Sequence, residues 1–312
     1  MGNRKSQNAQ ESQPAGRGPS GWFPLSPEYL EQSRRPLVSL VFIVPLLATY
    51  EGGVIYLGPA ALRNGADVWL RHLLGLIGFG QYFLLPALTV GLLLAWHHTT
   101  HQGWRLPREI VLGMYLESAV LAFGLLGIGY LERNLSQLAL ATLSSSNVLG
   151  ANEQRPDARP PSRSNRAESR PAGPRAAVRQ PAVPGAAASQ PAFPPRALLA
   201  TMVSTPAARL VGFCGAGIYE EALFRLLLLP PVAWLLGLFS VTRPWRLALA
   251  IVATSAVFSA AHYVGPHGEA VEWFSASFRC FAGIFFATLF VYRGFGIAAG
   301  THALYDVLVG LA

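Results

Sequence analysis

Seven apolar runs, each reaching or approaching the roughly 20 residues that cross a bilayer, constrain this chain of 312 residues more than any other feature. They cover residues 37–57, 73–96, 110–131, 206–229, 246–264, 277–292 and 296–312. Hydrocarbon offers no partner to a backbone N–H or C=O, so runs of this length must satisfy their own hydrogen bonds as helices. Charged residues make up only 13% of the chain, against about 25% in a soluble domain. The expected fold is all-α: a polytopic transmembrane helix bundle of about seven spans. An eighth span arises if residues 197–212 form a separate helix. This implies a multi-pass integral membrane protein in contact with membrane lipids, in the plasma or inner membrane if the source is prokaryotic. The first run begins only at Leu37, behind a polar head, and is read as a span and not as a cleavable signal.

Composition divides the chain further. Residues 1–36 are polar and read as a disordered head. Met1-Gly2-Asn3-Arg4-Lys5-Ser6 fits a short acylation pattern but is read as an ordinary polar start. Residues 37–143 form a front part with about three spans. Residues 144–196 carry ten Pro and eight Arg against Glu153, Asp157 and Glu168. With almost nothing to bury, they read as a disordered linker. Residues 197–312 form a rear part. The formal charge of +8 thus sits mostly in head and linker, which argues against a nucleic-acid partner. Cys214 and Cys280 both lie in apolar runs, which argues against a disulfide framework. Arg34 and Arg35, Arg105 and Arg108, Arg243 and Arg246, and Arg293 fall on one side of a seven-span arrangement, with the N-terminus inside.

The polar residues within the apolar runs carry the chemical information. Glu51 lies near the end of the first run. Residues 59–72 look amphipathic, with Asp67 and Arg71 paired at i, i+4. His97 and His101 have metal-ligand spacing, but without an acid or Cys beside them they read, with His98, as a polar interfacial loop flanked by Trp96 and Trp104. Glu117 lies inside the third run, where an acid is either functional or hydrogen-bonded between helices. Gly296 and Gly300 form a G-x-x-x-G pair, a spacing that lets helices approach closely.

The densest cluster is in the rear part. Glu220-Glu221-x-x-x-Arg225 is followed by Phe258-x-x-x-His262 and His302-x-x-x-Asp306. A charge at mid-bilayer costs about 2.5–3.5 kcal/mol, so these groups must face a protein interior or a wet cavity. Glu221 and Arg225 stand at i, i+4 in the favourable order. Glu220 points about 100° away and is left free for chemistry. A Glu with two His can activate water, as a base or through a metal. The zinc signature H-E-x-x-H is absent.

These three motifs, in this order on successive apolar helices, resemble those of the CAAX-protease and bacteriocin-processing (CPBP, or Abi) family of intramembrane endopeptidases, over about residues 206–312. That family shows EExxxR, FxxxH and HxxxN or HxxxD. This chain has Asp306 where the eukaryotic CAAX enzymes have Asn. The resemblance implies hydrolysis of a membrane-associated protein or peptide substrate. It implies that Glu220 and His262 activate the attacking water, and that His302 and Asp306 stabilise the oxyanion or complete a metal site. Glu221 and Arg225 would hold the Glu-bearing helix in register. A divalent metal such as zinc, held through Glu220, His262 and His302, is one form of this chemistry. The alternatives from other classes are a proton-coupled or ion transporter and a non-catalytic immunity or scaffold protein on the same fold.

One tension remains in this reading. With a rise of about 1.5 Å per residue, His262 and His302 lie about 24 Å and 9 Å along helices that start on the same side. The two imidazoles converge only if the helix boundaries shift or residues 265–292 tilt or re-enter.

Overall fold

The computed structural model describes residues 26–58, 61, 63–80, 83–153, 205–264 and 268–311. They form α1 (Pro27–Ser33), α2 (Pro36–Leu57), α3 (Gly65–Leu76), α4 (Leu84–Thr99), α5 (Arg108–Glu153) and α6 (Pro206–Glu221). A π-helical turn over Ala222–Leu228 then leads into α7 (Leu229–Leu238), followed by α8 (Arg243–Ala261), α9 (Trp273–Arg293) and α10 (Phe295–Leu311). Among the described residues there is no strand. The fold is a polytopic all-α bundle, as the apolar runs require. Five helical stretches are long and apolar enough to cross a membrane: Pro36–Leu57, Arg108–Ala139, Pro206–Leu238, Arg243–Ala261 and Trp273–Arg293. Leu84–Thr99 and Phe295–Leu311 are shorter apolar helices.

Three boundaries differ from the sequence expectation. The second apolar run is divided: its first residues finish α3, and α4 begins only at Leu84. The break holds Gly78, whose φ of 86° lies in the left-handed region that glycine enters without steric cost. The fourth run does not end before Pro230-Pro231. The helix widens to π geometry over Ala222–Leu228 and continues to Leu238. Proline has no N–H to give and crowds the carbonyl four residues back. A widened turn before the pair places both prolines in the opening turn of α7, where no N–H is needed. Finally, α5 runs on through Glu153, past the point where the linker was placed. The rest of the linker, 154–196, lies outside the described residues, as does the head through residue 25. The end of the head is not disordered, since residues 27–33 form α1 with Tyr29 buried among the helices.

Two apolar clusters hold the bundle. One joins Phe42 and Ile43 of α2, Met114 of α5, Phe286 of α9 and Phe295 of α10. The other joins Tyr50 and Val54 of α2, Leu70 of α3, Leu85 of α4, and Ile218 and Tyr219 of α6. Lipid tails are as apolar as these side chains, so association depends on close packing and polar contacts. The G-x-x-x-G pair supplies the first. A Cβ on Gly296 would stand 2.9 Å from the Ser39 backbone, and one on Gly300 would stand 2.5 Å from the Phe42 ring. Gly217 does the same for α6 against α10, since a Cβ there would meet the Ala299 carbonyl at 2.6 Å.

Polar contacts supply the second. Glu117 accepts both guanidinium donors of Arg293 at 2.6 Å and the Tyr29 hydroxyl at 2.6 Å. Buried Asp67 accepts from Tyr50 at 2.9 Å, from Arg63 at 3.2 Å and from Arg71 at 2.5 Å. Arg71 also reaches Glu51 at 3.4 Å, and Glu51 accepts the Tyr219 hydroxyl at 2.5 Å. Glu51 and Glu117 therefore tie helices together. His97 is buried against the Trp104 ring, with centroids 4.7 Å apart.

Candidate active site

The two acids on α6 diverge as helical geometry dictates. Glu221 is fully buried. Its Oε2 pairs with Arg225 Nε at 3.2 Å, and its Oε1 accepts from His302 Nδ1 at 2.8 Å. The Arg225 guanidinium is itself buried. It donates to the Gly283 carbonyl at 3.2 Å and lies 4.4 Å from the Phe258 ring centroid. Charge, hydrogen bond and ring quadrupole together hold this cation away from water. The chain Arg225–Glu221–His302 thereby locks the turn after α6 to α10.

Glu220 faces the other way. Its Oε1 accepts from Asn64 Nδ2 at 2.6 Å. Its Oε2 is buried without a hydrogen-bond partner among the described residues. That free oxygen lies 4.0 Å from His262 Nε2 and 3.7 Å from His302 Nε2. His262 ends α8, where its Nδ1 stands 2.9 Å from the Phe258 carbonyl. That nitrogen must donate, which leaves Nε2 turned toward Glu220. His302 is oriented in the same manner by Glu221 and stacks on Phe286 at 4.5 Å, the ring planes 9° apart. Asp306, one turn on, places Oδ2 3.6 Å from His302 Nε2.

All six residues named from the sequence thus meet at one locus. Glu220, His262, His302 and Asp306 line a cavity of about 290 Å³, together with Phe274, Phe278 and Tyr305. A second cavity of about 300 Å³ reaches Glu220 and His262 from the other side, past Asn64 and Trp69. The depth mismatch between the two histidines is resolved by where the helices start. Phe286 packs on His302, and Gly283 packs on Ser255 and Phe258. His302 therefore sits at the level of the last turn of α8, and α8 and α10 do not begin in one plane.

Tetrahedral zinc bonds of about 2.0–2.1 Å set donors roughly 3.4 Å apart. Glu220 and the two histidines are spaced more widely, at 3.7 and 4.0 Å. Among the described residues no three His, Cys, Asp or Glu side chains form a metal-holding group. The trio is not a ready-made zinc ligand set. Separations beyond about 3.5 Å are those that a water bridges.

The sequence reading missed Asn64 and Phe286. Asn64 precedes Gly65 at the start of an amphipathic stretch, which is an N-cap signal. That signal locates the start of α3 but says nothing of a contact to Glu220.

Comparison with known proteins gives one family match, over the rear part of the chain. Residues 203–308 match the family model described as Type II CAAX prenyl endopeptidase Rce1-like, about a third of the chain. No curated protein and no solved structure matches.

Proposed function

We propose that this membrane protein, whose residues 203–308 match the Rce1-like type II CAAX prenyl endopeptidase model, hydrolyses one peptide bond of a membrane-associated substrate, with Glu220 as general base. The observation that carries the reading is the buried Glu220 Oε2, without a hydrogen-bond partner, facing two imidazole Nε2 atoms at the cavity.

In this mechanism a water sits between Glu220 Oε2 and His262 Nε2. Glu220 takes its proton as the water oxygen attacks the peptide carbonyl. The His302 Nε2–H hydrogen-bonds to the oxyanion and keeps its proton, while the His302 Nδ1–H stays bound to Glu221. Asp306 stands beside the same nitrogen. As the C–N bond breaks, Glu220 passes the proton to the leaving amine. The new carboxylic acid gives its remaining proton to the freed amine, so the products are a carboxylate and a peptide with an ammonium terminus. Base loss alone is worth about 10²–10⁴ in rate. The substrate enters past Phe274, Phe278 and Tyr305, an aromatic lining suited to an apolar chain.

The test uses the full chain in detergent with a quenched-fluorescent peptide ending in Cys-aliphatic-aliphatic-X, with and without a farnesyl group. Cleavage at a single bond, located by mass spectrometry and unchanged by chelator, is expected. Cleavage abolished by chelator and restored by zinc would replace the metal-free mechanism. No cleavage of either peptide, with ion flux in vesicles that follows a proton gradient, would replace the protease reading.

A further inference from the structure

We infer that Asn64, which lies in the front part outside the family-matching segment, is a positioning residue of the active site. It holds one oxygen of Glu220 so that the other faces the two histidines. The inference rests on Glu220 as the base and extends that reading into the α2–α3 connection.

Both ends of the Asn64 amide are used. Its Oδ1 accepts from the Ala66 N–H at 2.8 Å and caps α3. The acceptor is thereby assigned, and the donor Nδ2 must be the atom that meets Glu220 Oε1 at 2.6 Å. A hydrogen bond to a carboxylate is stronger than one between neutral groups. On its own helix Glu220 has no comparable restraint, because Arg225 is taken by Glu221. Without Asn64 the Glu220 side chain would keep several rotamers, and only some aim Oε2 at His262 and His302.

The position of Asn64 is itself fixed. Asp67, less than one turn into α3, is held by Tyr50 of α2 and by Arg63 and Arg71. Arg71 joins Glu51 of α2, which binds Tyr219, the residue before Glu220. The buried polar network of the front part therefore ends at the site, and its last link to the base is Asn64. The matched segment alone lacks the group that aims its base.

The test separates capping from positioning, using the full chain in detergent and the quenched-fluorescent Cys-aliphatic-aliphatic-X peptide. Asn64→Ser and Asn64→Asp both keep an oxygen for the Ala66 N–H and both lose the Nδ2 donor. The expected result in Asn64→Ser is an unchanged melting temperature and an unchanged KM. In Asn64→Ser kcat falls about tenfold, the worth of one charge-assisted hydrogen bond. In Asn64→Asp it falls further, because two carboxylates then meet. In a Glu220→Asp background, where the shorter side chain already loses the contact, Asn64→Ser should cost less than about threefold. Wild-type kcat in Asn64→Ser overturns the inference. So does a loss confined to KM, or a loss that follows the melting temperature as capping would require. Glu220→Gln is the control. If it still cleaves, the base assignment fails first. If it is dead while Asn64→Ser keeps its kcat, only the role of Asn64 falls.

Discussion

Glu221→Gln should unfold the protein sooner than it disarms it. The carboxylate is fully buried; its Oε1 accepts from His302 Nδ1 at 2.8 Å and its Oε2 is ion-paired with Arg225 Nε at 3.2 Å. A glutamine offers one acceptor and turns an NH₂ toward the other donor. Arg225, 1% exposed, is then a guanidinium without its anion in a low-dielectric interior. Breaking a buried pair from one side costs about 3–5 kcal/mol, a large share of the roughly 5–15 kcal/mol that stabilises a typical protein. At about 2–4 °C per kcal/mol the melting temperature should drop by on the order of 10 °C. Glu220→Gln, which leaves no cation stranded, should stay near the wild type. The assay is thermal melting in detergent, followed by intrinsic fluorescence, of the two variants beside the wild type. A Glu221→Gln protein that melts with the wild type, or a Glu220→Gln protein that melts well below it, would refute this division of roles.

Other substitutions test neighbouring parts. His262→Ala should remain folded by melting and lose about 10²–10⁴ in kcat, because its Nε2 orients the water. Asp306→Asn keeps an oxygen 3.6 Å from His302 and should hold the cleavage rate within about tenfold. Glu117→Gln removes the anion bound by both Arg293 donors and should lower stability by about 1–3 kcal/mol with the KM of the folded fraction unchanged. Gly217→Ala places a methyl 2.6 Å from the Ala299 carbonyl. It should push α6 off α10, separate Glu221 from His302, and reduce both melting temperature and rate.

How much of this was legible in the sequence depends on how far apart the partners lie. The helices were readable because a bilayer permits little else for long apolar runs. Short-range pairs were readable as well: Glu221–Arg225 and Asp67–Arg71 follow from helical spacing and are present as ion pairs. The three motifs announced a shared site, although no spacing within one helix could show how His262 and His302 reach the same depth. That came from the packing of Phe286 on His302 and of Gly283 on α8. Long-range partners were invisible. Glu117 showed no companion because Arg293 lies at the far end of α9, and Glu51 finds Tyr219 only when α2 packs on α6. Asn64 was missed because its contact with Glu220 exists only in three dimensions. The fourth run was bounded at residue 229, whereas a π turn carries the helix past Pro230-Pro231 to Leu238, and no propensity rule signals that in advance.

The decisive measurement is the cleavage rate of Glu220→Gln relative to wild type, on equal amounts of folded protein, with the peptide that the wild type cuts. Glutamine preserves the shape and the acceptor toward Asn64 and removes only the base. A folded protein with kcat reduced about 10²–10⁴ is predicted. A folded Glu220→Gln variant that cleaves at the wild-type rate would contradict the assignment of Glu220 as the group that activates water.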